Sequence, residues 1–486
     1  MKKFIYITIF VLIFSQLSYT NTLSLEKYLQ QVVSNHPFIS KSEHEYGEML
    51  IAISRTEGLK DWNLFIQSSY GQGYYYDAST IYNNDSQLFS MQGSLSKLIP
   101  AYGTKIQIRT DYKELNEIPN MITGLPYDNY SLSLEMIIKQ PLLKNAFGEM
   151  DRHPLETSKY RTNILKIKYR EDIEDFIMIQ IKEYLDWKLS YINLKIHNEQ
   201  LMKAYGKVDV LKEQYAKNLI EEIDLIKART NAQLKRVEYT KANQSYYKMS
   251  KIIKYHCANS SENITEEYIP VLAPLKIEYP SEKDTIYYLE NESDVYMIQD
   301  INKQIQEKEV EYYNSNLKPE LSLFASVKSR SAKNNLDDTL NNLGDQTPFT
   351  IGVEFKTALN NTDALKSFQS EQKKLSKIIE ANNYSKLKVR DLVIQIYSDL
   401  RYLNELIKDS QKLLMLSKRN SSLELKNYNA GRSSLYVLLT TQDQVLSSEL
   451  QIETLIIQKE LLENQLLSLL DKVISHYNIK RNLVHE

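Results

Sequence analysis

The sequence predicts a mixed α/β chain in which long antiparallel helical hairpins alternate with membrane-type β-strands, the whole unit being duplicated in tandem. Three observations predict it. The 486 residues include only 12 Gly and 11 Pro, well under the roughly 12% that the two residues make up on average. Two long stretches, 155–269 and 353–486, contain no Pro and one Gly each, Gly206 and Gly431. Ahead of each stretch the apolar residues switch to a period of two.

Residues 1–20 read as a leader. Lys2 and Lys3 precede an apolar run, residues 4–14, that is too short to span a bilayer as a helix. Ser18 and Thr20 then put small side chains at −3 and −1 of a cleavage after Thr20. The alternative is a soluble chain with an apolar N-terminal helix. No Cys follows the run to carry a lipid anchor. Without Lys2 and Lys3, 58 basic residues face 62 acidic ones, and the near balance leaves no electrostatic footprint for nucleic acid. No later segment has 18 consecutive apolar residues, so an exported chain of this kind enters a membrane only by way of β-strands.

Helix is favoured where breakers are missing, because Pro removes a backbone donor and Gly costs about 1 kcal/mol. In the second stretch Val389, Val393, Ile396, Leu400, Leu403, Ile407 and Leu414 recur in steps of three and four, with Ser410 as the polar member. In the first, Ile173, Ile177, Tyr184, Trp187, Tyr191, Leu194, Leu201, Tyr205, Val208 and Tyr215 keep the same rhythm, with Gln180, Asn198 and Lys212 as exceptions. A repeat of 3.5 residues means helices packed lengthwise with a supercoil. Each run turns back at a residue that tolerates the left-handed conformation, Asn218 or Gly431. Two αα-hairpins result, with return arms near 223–256 and 435–475.

Period two marks the strands. Leu64, Ile66, Tyr70, Tyr74 and Tyr76 alternate with polar or Gly positions, although Phe65 and Tyr75 blur the pattern. So do Phe89, Met91 and Leu95, then Ile106, Ile108, Thr110 and Tyr112, then Tyr130, Leu132, Leu134, Met136 and Ile138. Later come Leu321, Leu323, Ala325 and Val327, and Phe349, Ile351, Val353 and Phe355. Such segments have the length and alternation of tilted membrane-spanning strands. A half-buried soluble sheet alternates in the same way.

Comparing the halves exposes the duplication. Leu59-Lys60 matches Leu317-Lys318, Glu135 matches Glu354, and Asn218 matches Gly431. The changing offset places an extra strand pair in the first half, at 86–114, turning around Pro100, Tyr102 and Gly103. The expected layout is a signal peptide (1–20), an N-terminal helix (21–61), the first strands (62–140), the first hairpin (141–259) and a Pro-bearing linker (260–284). A second N-terminal helix (285–318), second strands (319–357), second hairpin (358–475) and tail (476–486) follow. Four strands and then two are both even numbers, so each half leaves the sheet on the side it entered. The long polar breaks at 78–87, 115–127 and 328–347 fit outer loops, and the short Pro100 turn fits a periplasmic one.

Here the chain resembles the outer-membrane factor family, the TolC-like channels of efflux pumps and type I secretion systems. The resemblance covers nearly all of residues 23–475. It rests on Leu25-Glu26 with Asn35-His36-Pro37, on the strand exit Gln140-Pro141-Leu142-Leu143 with Gly148, on the bend Tyr428-Asn429-Ala430-Gly431, and above all on the duplicated order of elements. It implies a homotrimer whose protomers jointly build a transmembrane β-barrel in the outer membrane of a diderm bacterium and an α-helical barrel in the periplasm. It also implies a periplasmic adaptor (membrane fusion) protein docked at the hairpin tips, and an inner-membrane pump or ABC exporter behind it.

The family carries its gate at those tips, and this sequence departs there. Asp224 matches a tip aspartate in the first bend, whereas the second has Val437 and Thr440 at the corresponding positions. A carboxylate ring favours cations; here it is reduced, with Glu221, Glu222 or Asp443 available to supplement it. Asp224 reads equally well as a solvated charge. The resemblance assigns Tyr428 to gate contacts between helices.

Enzyme chemistry finds no support. The seven histidines are scattered without a metal-ligand spacing, no Gly-rich phosphate loop exists, and the single Cys257 excludes an intramolecular disulfide. The sequence implies no cofactor. Competing with a passive conduit are an exported coiled-coil scaffold without a pore and a surface stalk.

Overall fold

The structure, a computed structural model, describes residues 21–75, 84–117, 129–257, 268–345 and 347–479. The leader with its cleavage at Thr20, most of the breaks expected at 78–87 and 115–127, and the end of the tail lie outside the described residues. The chain divides into two compact units. One gathers Met1–Tyr46, Lys166–Met297 and Tyr384–Glu486; the other gathers Gly47–Leu165 and Ile298–Asn383.

The chain opens with a short strand β1 (Asn21–Leu23), helices α1 (Leu25–Asn35) and α2 (Pro37–Ser54), and strands β2 (Trp62–Tyr75), β3 (Asn84–Ile99), β4 (Thr104–Glu117) and β5 (Tyr130–Pro141). The first hairpin is α3 (Glu149–Ala216) and α4 (Glu222–Cys257). Next come β6 (Tyr268–Pro270), α5 (Glu282–Asn291), α6 (Asp294–Asn316), β7 (Glu320–Lys333), α7 (Leu336–Asn341) and β8 (Phe349–Lys356). The second hairpin, α8 (Thr362–Asn429) and α9 (Leu435–Leu469), precedes a last turn, α10 (Val473–His476).

Three features differ from the sequence reading. The linker holds β6, which pairs in parallel with β1 through Thr22 and Ile269; strands of three residues are too short to show a period. The helix expected over 285–318 is broken at Glu292-Ser293 into α5 and α6. The polar break after Lys328 is shorter than expected, because β7 runs on to Lys333 and α7 fills part of the remainder.

In the first unit, the α8 stripe lies where its rhythm put it: Val393, Ile396, Leu400 and Ser410 are buried, and so is Ser417 one step further on. The α3 stripe holds only as far as Leu201. Beyond it Ala204 and Leu211 are buried while Tyr205 and Tyr215 are exposed. A straight helix drifts about 20° per heptad from a strict 3.5 repeat, and the stripe steps 201, 204, 208, 211 instead of 201, 205, 208, 212. The main core joins α1 to the bases of both hairpins, with Tyr28, Leu29, Ile173, Ile177, Tyr184, Trp187, Ile457 and Leu467 all buried.

In the second unit, six antiparallel strands form one sheet in the order β2-β3-β4-β5-β7-β8. The inserted hairpin β3–β4 lies inside this sheet, and β5 pairs with β7 across the two repeats. The turn of that hairpin is locked against the strand exit. Gly103 and Gly148 both adopt positive φ, and a Cβ on Gly148 would overlap the carbonyl oxygen of Pro100. Gln140 Nε2 donates to Tyr102 O at 2.8 Å, and Arg152 Nη1 to Ala101 O at 3.0 Å.

Candidate functional site

Two regions carry functional character, the sheet surface and the hairpin bends. In the sheet, register aligns one residue from each strand: Leu64, Leu95, Ile108, Met136, Val327 and Phe349. All six are apolar. Leu64 is 70% and Phe349 62% exposed, and Met136 and Val327 are also open to the surroundings. The next row, on the opposite face, reads Phe65, Ser94, Arg109, Glu135 and Lys328. A soluble sheet hides its apolar face; here that face is the open one. Among the described residues β2 and β8 each pair on one side only, so two rows of backbone amides and carbonyls are left for further pairing.

The bends share their capping bonds. Leu219 N donates to Gln214 O at 3.0 Å, and Arg432 N to Asn427 O at 2.9 Å. Asn218 (φ 55°) and Gly431 (φ 71°) hold the left-handed position in each, which places both helix ends in the six-to-one cap that satisfies terminal carbonyls. The return arms start alike: Asp224 N donates to Glu221 O at 3.1 Å, and Val437 N to Ser434 Oγ at 3.3 Å. Val437 is therefore the structural counterpart of Asp224.

A small cluster ties the bends together. Leu211, Leu225, Ala228 and Leu435 are buried, with Val208, Ile220, Tyr428 and Leu439 packed on them. The Tyr428 ring lies beneath Lys207 Nζ, 4.2 Å from its centroid, so this tyrosine links the two hairpins within one chain. Burial and the nearby Asp224 charge raise its pKa. Asp224 sits 3.7 Å from Lys227. Val437 is exposed, whereas the Thr440 hydroxyl donates to Tyr436 O at 2.9 Å and is spent on its own helix. Of the supplementary acids, Asp443 is paired with Lys235 at 2.8 Å. Burial pulls the Lys235 pKa down, but its bonds to Asp443 and Glu238 more than restore it.

Other titratable groups serve packing. His36 lies against Phe176 and His256, and burial lowers the pKa of both histidines. Burial pushes the Cys257 thiol up to about 12, which keeps it protonated and unreactive. Glu171, Asp294 and Asp471 bring carboxylate oxygens within 4.8 Å of one another. Arg170 already grips Asp294, with Nε donating at 2.6 Å, and Glu171 is pushed up to about 8 by burial and by the neighbouring carboxylates. The three carboxylates thus form a cluster held by Arg170. Sequence reasoning missed it, because its members are far apart in the chain.

No family model matches the chain, and no curated protein matches it by sequence. Its structure matches solved ones. The outer membrane protein VceC from Vibrio cholerae aligns with a TM-score of 0.67 at 10% identity, over 92% of this chain and 96% of that one. The CmeC outer membrane channel of Campylobacter jejuni gives 0.62 at 14%, over 92% and 86%. A membrane protein from Pseudomonas aeruginosa gives 0.68 at 10%, over 96% and 94%. The fold, with its long helical part, is shared with these solved outer-membrane proteins and channels. At these identities the likeness is one of fold.

Proposed function

We propose that the chain is one protomer of a homotrimeric outer-membrane channel that gives solutes an exit from the periplasm to the exterior. One observation carries this reading: an apolar residue from each of six strands lines one face of a sheet whose two edges, among the described residues, are unpaired. In lipid an open edge leaves backbone groups unsatisfied. Pairing β8 of one copy with β2 of the next satisfies them, and six strands from each of three chains make an eighteen-stranded barrel. The two hairpins of each copy then form a helical barrel on the periplasmic side, their tips offered to a periplasmic adaptor and, through it, to an inner-membrane pump or ABC exporter. The channel is passive; docking opens the tips by shifting a population of conformers. No step calls for catalysis, a cofactor or nucleic acid.

The test is direct. The mature chain extracted in detergent is expected to run as a trimer by light scattering and to give discrete conductance steps in planar bilayers. A chain that is monomeric, soluble without detergent and silent in the bilayer overturns the proposal in favour of the scaffold reading.

A further inference from the structure

Beside the bends, α3, α4 and α9 line an open cavity of about 210 Å³. That is smaller than the roughly 300–1,000 Å³ of pockets for drug-sized ligands, yet it holds several times the ~30 Å³ share of one water. Its lining is rich in donors: Lys203, Lys207 and Lys235, together with the amides of Gln200, Asn231 and Gln442. Asp443 is the single acid in the lining, and Lys235 neutralises it at 2.8 Å. Among the described residues neither Lys203 nor Lys207 has a carboxylate within ion-pair distance, and Lys207 is half-buried with the Tyr428 face beneath it. Burial lowers the Lys207 pKa, the mark of a cation that a counter-charge would relieve.

Gly206 lines the same cavity. It is the single glycine of α3, where glycine costs a helix interior about 1 kcal/mol. An added Cβ there would meet nothing within 4 Å, so close packing does not require it. A larger side chain there has open space to extend into beside Lys203 and Lys207.

We propose that this cavity is a binding site for a small oxyanion of the phosphate class, held by Lys203 and Lys207 with help from the amides, and joining the first hairpin to the second beside their bends. The site is built within one chain and does not depend on the channel reading.

The test is a thermal melt of the full mature chain in detergent, titrated with inorganic phosphate against sodium chloride of equal ionic strength. A saturable rise in Tm is expected with phosphate and not with chloride. Lys207→Gln should weaken the apparent affinity by about tenfold or more, the scale of one charge-assisted hydrogen bond. Gly206→Leu should abolish the response by filling the cavity while leaving the phosphate-free melt intact. Lys203→Gln provides a second charge variant should either of these fold poorly. Absence of a saturable rise, or the same rise in all three variants, overturns the proposal, the latter meaning an adventitious ion only.

Discussion

Lys188 of α3 and Glu460 of α9 form a buried ion pair between the two hairpins, with Nζ 2.9 Å from Oε1 and 3.0 Å from Oε2. Their side chains are only 2% and 3% exposed. The remaining capacity is used as well: Lys188 donates to Ala273 O at 3.1 Å, and Leu275 N donates to Glu460 Oε1 at 3.1 Å. The segment between the repeats is thus pinned to the pair. Removing one partner from a buried pair leaves an uncompensated charge and costs about 3–5 kcal/mol, whereas replacing both by apolar groups is often neutral. Lys188→Met or Glu460→Leu alone should therefore sharply lower the melting temperature, and the double variant should recover most of the loss. A double variant no better than the worse single one would show that the pair does not act as a unit.

Why was this pair invisible in the sequence? Its members are 272 residues apart, and each sits in a charged helix where a solvated face is the ordinary reading. What was legible is local. Asn218 and Gly431 announce left-handed caps by residue type, and Val393, Ile396 and Leu400 announce a buried stripe by spacing. Ala204 and Leu211 were missed because the helix drifts out of a strict 3.5 rhythm, and the Tyr205 and Tyr215 side chains looked more like core. The alternation of Leu134, Met136 and Ile138 gave the strand but not which face was buried; exposure in the structure decided that. At the bends Asp224 and Val437 are legible as corresponding positions, whereas Lys207 over Tyr428 is not.

The cluster of Glu171 and Glu174 makes stability depend on pH with an unusual sign. Burial, followed by the charges of Asp471 and Asp294, pushes Glu171 up to about 8. Burial and Asp471 push Glu174 up to about 7, against the pull of Arg170. The folded chain holds these protons over a range in which the unfolded chain, with carboxyls near 4.5, has lost them. Their stabilisation is fully present below about pH 4.5 and is lost as pH rises through 7 to 8. Melts from about pH 7 to 8.5, above the range in which His36 and His256, lowered by burial, act with the opposite sign, should show a falling Tm, and Glu171→Gln should flatten the slope. A Tm that rises over this range would contradict the assignment.

The Gly103–Gly148 lock predicts a sharp difference between glycines. Gly148→Ala combines a left-handed backbone with overlap against the Pro100 carbonyl, and should cost more than about 2 kcal/mol. Gly71→Ala, in β2, meets nothing within 4 Å and should be nearly neutral. Relative yield of folded protein, with protease resistance around residues 100–103, measures both.

The apolar row should behave as a lipid contact. Met136→Arg places a charge in the midst of it, at an expected cost of about 2–4 kcal/mol near the bilayer midplane. Asp111→Asn, on the opposite face beside Arg109, should leave assembly intact. Insertion into liposomes, scored as the protease-protected fraction, separates them; equal insertion of both variants would argue for a soluble sheet.

The last prediction concerns ion preference at the tips. Val437 occupies in the second bend the backbone position that Asp224 occupies in the first, one residue before the turn of helix that caps on Ser434 is complete. It is exposed, so an acid there needs no buried partner. In the proposed trimer Val437→Asp adds three carboxylates to the ring that Asp224 already supplies. Converging carboxylates raise the local field for cations, so reversal potentials measured in a salt gradient should shift toward cation selectivity, and divalent cations should block more strongly. Asp224→Asn should move both in the opposite direction, with little change in melting temperature because its pairing with Lys227 at 3.7 Å is exposed and weak. If neither substitution alters selectivity, the bends do not border the conducting path, and the narrowest part of the proposed channel lies elsewhere along the helices.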